Sequence, residues 1–211
     1  PGVVQLLGGN IRIISSLFVY KHPLDPLGQR TIRTPEMTGW HRDMREVVRD
    51  LGHECIERYS VMASYFLSDL RVEGLGSSLF VRGSHRLREA LYVPPDRADP
   101  EECVSIPVEP GDAILFENRT WHAGQLNTSK RDDKILFIQY AYRWLAPVDY
   151  WNVNPELASQ LTDIESQLLG LTTDVDRGGN FVLGSGSAAI EKWAASAGIE
   201  PRHHPYYGPR R

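Results

Sequence analysis

Three residues of this chain have the types and spacing to hold a metal ion. The stretch "TGWHRDM", residues 38 to 44, sets His41 and Asp43 one residue apart, and "NRTWHAG" supplies His122, 81 residues after His41. In an extended segment, side chains at i and i+2 point to the same side, so His41 and Asp43 can grip one ion together. Two imidazoles and one carboxylate form a facial set, which occupies one face of an octahedral ion and leaves the opposite positions open. Fe(II) suits imidazole combined with carboxylate, whereas a closed zinc site takes four protein ligands, often thiolates. An isolated H-x-D is common by chance and defines no site by itself. The distal "WH", followed nine positions later by Arg131, adds weight to it.

Such a set needs elements to carry it. "IRIISSLFVY" (11 to 20) is rich in β-branched and aromatic residues and predicts a strand. "KHPLDPLGQRTIRTPEMTG" follows with three prolines and two glycines, the punctuation of a long loop that delivers the chain to His41. "MREVVRDLG" reads as a short helix ending at Gly52, and "ERYSVMASYFLSDL" (57 to 70) as a strand buried on at least one face. A glycine turn at "EGLGSS" leads to a short strand "SLFV", then to a loop running from Gly83 through "VPPDRADPEE". "CVSIPV", "AILFE" after the "EPGD" turn, and "KILFIQYAYRW" (134 to 144) predict the remaining strands. Beyond them "PELASQLTDIESQLLG" and "SAAIEKWAASAG" carry helical periodicity. Short strands separated by turns and flanked by helices point to a β-sandwich or barrel with a helical layer.

Composition bounds the alternatives. The chain of 211 residues fits a single domain, and its hydrophobic fraction of 41% and charged fraction of 24% are those of an ordinary globular protein. A net charge of −4 and a pI near 6.0 give no footprint for a phosphate backbone, so no nucleic-acid partner is expected, although the tail "PRHHPYYGPRR" is locally basic. Cys55 and Cys103 form no C-x-x-C pair, which fits a reducing, cytoplasmic setting. No apolar run approaches the length that spans a bilayer, so no membrane partner is expected.

With these pieces in order, the sequence resembles the phytanoyl-CoA dioxygenase family of Fe(II)- and 2-oxoglutarate-dependent oxygenases. The resemblance rests on "WHRD" at 40 to 43, on "VRGSH" at 81 to 85 where the family usually has a P-G-S-H turn, and on "EPGDAILFENRTWHAGQLNTSKRDDK" at 109 to 134. The last matches the family's P-G-D, apolar strand, H-x-x-x-x-N-x-S run and closing arginine. Each piece is weak alone, and the combination is specific. It implies a mainly β fold with flanking helices, built on a double-stranded β-helix (jelly-roll, cupin-like) core over about residues 10 to 145, with a helical extension over 146 to 211. Residues 1 to 211 are then expected to form one oxygenase domain lacking part of the N-terminal region that family members carry.

The resemblance also implies that His41, Asp43 and His122 bind Fe(II) and that Arg131 pairs with the distal carboxylate of 2-oxoglutarate, a task for which a planar guanidinium is well shaped. O2 and 2-oxoglutarate are then cosubstrates, a small molecule is hydroxylated, and succinate and CO2 are released. Related halogenases replace the metal carboxylate with a small residue, so Asp43 favours hydroxylation over halogenation. The segment "VEGLGSSLFV" departs from the family's acidic-Asn-Gly turn, which changes a loop and not the chemistry. Desaturation, cyclisation or epimerisation at the same iron site stays open, as does a non-catalytic jelly-roll binding protein, against which the retention of all four polar positions argues. The substrate is read as a small metabolite or natural-product intermediate, since no basic cluster demands a CoA or phosphate group.

The remaining histidines read as structural. His85 lies in the "GSH" turn, His53 follows the helix C-cap at Gly52, and His22, His203 and His204 read as surface residues. Trp40 and Trp121 precede the two ligand histidines and read as packing that holds them, while Lys21 and Tyr65 lie on strands expected to line the pocket. The aromatic stretch "YRWLAPVDYWNV" reads as a lid or a homo-oligomer contact.

Overall fold

β-Branched and aromatic residues form strands wherever their alternation can be buried, and the computed structural model shows this over the described residues, 1–24, 39–72, 74–150, 152–172 and 189–200. Most of the expected loop before His41, at 25–38, and His203 and His204 with the basic tail lie outside them. In chain order the elements are α1 (Gly2–Leu7), β1 (Ile11–Lys21), α2 (Arg45–Leu51), β2 (Ser60–Phe66), β3 (Ser78–Val81), β4 (Cys103–Ser105), β5 (Ala113–Glu117), β6 (His122–Gly124), β7 (Asp133–Tyr142), α3 (Pro155–Ala158), α4 (Asp163–Leu168) and α5 (Ala189–Ser196). A single 3₁₀ turn spans Ser84–Arg86. The fold is mainly β with flanking helices, as expected, and the described strands form two sheets, ordered β1-β7-β2-β5 and β4-β3-β6, without closing into one barrel.

Several bounds differ from the sequence reading, each for a local reason. β2 is confined to Ser60–Phe66 within the expected 57 to 70, because beyond Phe66 the chain is exposed at Leu67 and turns through Ser68 and Asp69. β4 stops at Ser105, two residues before Pro107, which has no N–H for a ladder. The helical periodicity over 155 to 170 is realised as two helices, because Thr162 caps the second. Its hydroxyl accepts from the Glu165 N–H at 3.3 Å while its own N–H donates to the Glu165 carboxylate at 2.8 Å. The helix α1 had no signal in the sequence reading.

The chain divides into two compact units. The first comprises Pro1–Ser16, Tyr59–Val61 and Ile138–Arg211. Its core joins Val4, Leu7, Ile11, Val61, Ile190 and Ala194. Gln167, fully buried, fastens this unit: its amide donates to the carbonyls of Gly9 (2.8 Å) and Ile11 (3.1 Å), and its oxygen accepts from the Ile190 N–H (3.0 Å). The second unit comprises Leu17–Arg58 and Met62–Phe137, with a core of Phe66, Leu70, Val108 and Ile135, and it contains every candidate site residue.

Within the second unit, β3 lies between β4 and β6, antiparallel to both, and its register sets Phe80 opposite His122. The other edge of β6 is taken by one residue: His41 and His122 form an isolated antiparallel bridge. The sheet that carries the distal histidine therefore also receives the proximal one. Replacing Gln167 by Leu strands three buried backbone groups, each costing about 1–3 kcal/mol. Gln167→Leu is expected to lower stability by about 3 kcal/mol or more, read as an earlier urea midpoint with unchanged β-sheet circular dichroism.

Candidate metal centre

His41 and His122 are joined through their backbones before their side chains meet. Each N–H donates to the other's carbonyl at 3.0 Å, so the two residues stand directly opposite, with ring centroids 4.3 Å apart. Asp43 comes to the same place two residues on. The chain then turns away at Met44, whose φ of 56° makes it the only non-glycine residue with positive φ among those described. That left-handed step, worth on the order of 1–2 kcal/mol of strain, ends the extended segment and starts α2 at Arg45.

One nitrogen of His41, one of His122 and one oxygen of Asp43 lie within 4.8 Å of one another. His122 Nε2 is 3.5 Å from Asp43 Oδ1. Both imidazoles are oriented in the same way: His41 Nδ1 donates to the Gly39 carbonyl at 3.0 Å and His122 Nδ1 to the Thr120 carbonyl at 2.9 Å, in each case two residues back along the chain. A carbonyl only accepts, so each Nδ1 carries the proton and each Nε2 is left with a lone pair. This is the outer hydrogen bond that typically accompanies a metal-ligating histidine.

The electrostatics favour a cation. The side chains of Asp43 and His122 are 9% and 12% exposed, and Phe116 lies 4.6 Å and Phe80 6.3 Å from the His122 ring. Burial pushes Asp43 up to about 6 and holds His122 down to about 4. It also lowers His41, with help from neighbouring His122. Near neutral pH the cluster is therefore one buried carboxylate facing two neutral imidazoles, and the 3.5 Å approach is not a charged pair. Asp43 Oδ2 is buried without a hydrogen-bond partner. A buried anion with an unsatisfied oxygen, beside two aligned lone pairs, fits a divalent cation; the donor set suits Fe(II).

Supports surround the cluster. The Trp40 indole donates to the Ala98 carbonyl (3.1 Å) and the Asp99 carboxylate (3.0 Å), and the Trp121 N–H donates to Ser84 Oγ (2.8 Å). The Trp40 side chain thus ties the segment before His41 to residues 98 and 99, while the bond to Ser84 is made by the backbone of Trp121. Asn127, buried in the loop after β6, donates to the carbonyls of Lys21 (2.7 Å) and Arg131 (2.8 Å) and accepts from the Ser129 N–H (2.9 Å). The asparagine and serine of the matched run therefore shape a turn. Of the other histidines, His22 pairs with Asp132 at 2.8 Å, His53 contacts Arg42, and His85 is outside the cluster.

Arg131 is 51% exposed and already engaged. It donates to the Asp69 carbonyl, and its Nε is 3.6 Å from Oδ1 of Asp133. Asp133 is 0% exposed, with neither oxygen hydrogen-bonded, and burial raises its pKa against the opposing pull of Arg131 and Lys21. Lys21 donates to the Gly76 carbonyl, and its Nζ lies 3.4 Å from where a Cβ on Gly124 would stand. Gly124 is two residues after His122 on β6. A side chain there would point to the same side as the ligand and crowd the lysine. Two residues were missed in the sequence: Arg42 and Ser84. The alternation around His41-x-Asp43 hinted that Arg42 points elsewhere, and nothing marked Ser84.

A jelly-roll-type β fold with a two-histidine, one-carboxylate cluster defines a class of non-haem iron oxygenase. The phytanoyl-CoA dioxygenase (PhyH) family model matches residues 28–134, half of the chain, and the chain belongs to that family. It is 37% identical over 62 residues to the dioxygenase peniF of Penicillium patulum, covering 29% of this chain and 18% of that protein. It is 29% identical over 100 residues to the dioxygenase af480 of Aspergillus fumigatus, covering 46% and 32%. The chain thus aligns with less than a third of either relative's length. Among solved structures, EctD from S. alaskensis, determined with 2-oxoglutarate and 5-hydroxyectoine, is 21% identical with a TM-score of 0.48, covering 65% of this chain and 46% of that one. Among the described residues no helix is long and apolar enough to cross a membrane.

The raised pKa of Asp133 fixes the sign of a pH effect. Because the folded value lies above 3.8, the cost of ionising Asp133 sets in as pH rises past 3.8, is complete above the folded pKa, and fades below 3.8 as both states become protonated. Asp133→Asn is expected to raise Tm by about 2–4 °C near pH 7. Near pH 3.5 it should leave Tm unchanged, both read by calorimetry. A lower Tm at neutral pH would show that the Arg131 pairing outweighs the burial.

Proposed function

We propose that this chain, as one oxygenase domain, is the catalytic part of an Fe(II)- and 2-oxoglutarate-dependent dioxygenase that hydroxylates a small metabolite or natural-product intermediate, releasing succinate and CO2. The observation that carries the reading is the convergence of His41, Asp43 and His122 within 4.8 Å, with both Nδ1 atoms held by backbone carbonyls. Bound iron supplies the open positions for 2-oxoglutarate and O2 and the oxidising power to cleave a C–H bond. The chain supplies the rest. His41 and His122 present Nε2 as neutral donors, and Asp43 contributes the charge that balances the ion. Phe80 and Phe116 keep water from the His122 side, and Asp43 retains the third protein ligand, which favours hydroxyl return over halide transfer.

The distal carboxylate of 2-oxoglutarate is assigned to Arg131, which offers a bidentate fork. A second reading assigns it to Lys21, favoured by the ammonium's place beside Gly124, on the side of β6 that carries His122.

Anaerobic titration with Fe(II) and then 2-oxoglutarate tests both levels. Wild type is expected to develop the visible charge-transfer band of the chelate. Asp43→Ala is expected to weaken Fe(II) binding by more than about 100-fold, beyond the loss of an outer-shell partner. Loss of the carboxylate's cationic partner should weaken 2-oxoglutarate binding by roughly 10–100-fold while iron still binds. If that happens in Lys21→Met and not in Arg131→Ala, the lysine is the anchor. Unchanged iron binding in His41→Ala or His122→Ala would sink the metal assignment.

A further inference from the structure

Arg42, the residue between His41 and Asp43, is 2% exposed, and none of its hydrogen-bond partners is a carboxylate. Its Nε donates to the Arg119 carbonyl (2.8 Å), Nη1 to His53 Nδ1 (3.2 Å), and Nη2 to the carbonyls of Ser84 (3.1 Å) and Leu87 (2.7 Å). The guanidinium carbon also lies 5.1 Å from the centre of the Trp121 ring, within cation–π range. Burial acts against its charge first, and neighbouring Arg119 and then Arg88 add to that. A buried cation with no counter-ion among the described residues, opposed by two like charges, is a poor device for general stability. Three of these contacts, to Arg119, Ser84 and Trp121, reach the segment that carries His122 or a residue hydrogen-bonded to it.

The connections can be followed residue by residue. Arg42 is covalently next to His41 and Asp43. It stacks on Trp121, which is covalently next to His122, and it holds the carbonyl of Ser84, whose hydroxyl accepts the Trp121 N–H. The carbonyl of Arg119 that it holds lies one residue before Thr120, whose own carbonyl orients the His122 imidazole. His41 and Asp43 are thus each one peptide bond from the residue that bears the guanidinium, and His122 is one peptide bond from the ring that the guanidinium faces.

We infer that Arg42 is the positioning residue of the metal centre: a buried guanidinium, solvated by neutral acceptors, that registers the His41-x-Asp43 segment against the Trp121–His122 segment. The inference rests on the metal reading proposed above. Five donors in a rigid plane reach acceptors in several directions at once, which a lysine cannot reproduce. The planar fork thus fixes the spacing of ligands that come from distant parts of the chain.

The test uses the full chain with Co(II), whose visible spectrum reports ligand geometry without turnover, in wild type, Asp43→Ala, Arg42→Met and Arg42→Lys. Arg42→Met is expected to stay folded by circular dichroism, to bind Co(II) about 10–100-fold more weakly, and to give a shifted spectrum. Arg42→Lys should recover part of the affinity. A purely structural role predicts a lower Tm with the affinity and spectrum of the folded protein unchanged, and that result overturns the inference. If Asp43→Ala binds Co(II) as wild type does, the metal reading fails and takes this inference with it. If Asp43→Ala loses binding while Arg42→Met keeps it, only the role of Arg42 falls. Should both Arg42 variants unfold, Trp121→Leu, which leaves every guanidinium hydrogen bond in place, decides: a several-fold loss of affinity supports the inference, and wild-type affinity refutes it.

Discussion

Two backbone hydrogen bonds, exchanged between His41 and His122 at 3.0 Å, set the geometry of everything around them. Directly opposed residues in an antiparallel pair keep their Cα atoms about 5.5 Å apart and their side chains on one face. That spacing brings two imidazoles to a common point without any contact between the rings having to do it. The opposite edge of β6 is held by β3, so His122 cannot drift, and Phe80 covers it from across the ladder. Asp43 then follows from the two-residue period of an extended chain, and Met44 turns the backbone away.

The charges near this bridge are arranged in contrast. Asp43 is an anion with an oxygen left unsatisfied, while Arg42, its neighbour in sequence, is a cation whose donors meet carbonyls and a neutral imidazole. Had the two side chains paired with each other, each would have consumed the other's charge. Alternation along the backbone keeps them apart, so the carboxylate remains free to receive an ion. The carbonyls of Gly39 and Thr120 complete the scheme by fixing which nitrogen of each ring carries its proton.

Much of this was legible in the sequence because its signals are local. Strand composition located β1, β3, β5 and β7, the Gly52 stop closed α2, and the H-x-D spacing with the distal "WH" identified the residues that converge. Less visible was whatever depends on contacts across the chain. The capping of Thr162 by Glu165 splits a stretch whose periodicity reads as continuous. The isolated bridge at His41 and the three-residue β6 are too short to leave a periodic trace. Arg42 carried no local signal of its burial, since its acceptors lie 11 to 77 residues away. The burial of Asp133 beside Arg131 was equally hidden, because burial of a charge is a property of the folded neighbourhood.

The distance in sequence between the two histidines has a consequence in the language of polymers. Closing a loop of this length costs an unfolded chain about 4–5 kcal/mol of entropy. Two backbone hydrogen bonds contribute net only about 1 kcal/mol each, so they cannot close it alone. The loop is drawn together by what lies inside it, β2 to β5 and much of the core around Phe66. A chain in which that interior is unformed offers only the adjacent pair His41 and Asp43, a two-point grip with little hold on an ion. Full chelation is therefore conditional on completed folding, and an immature chain is a poor host for a redox-active metal.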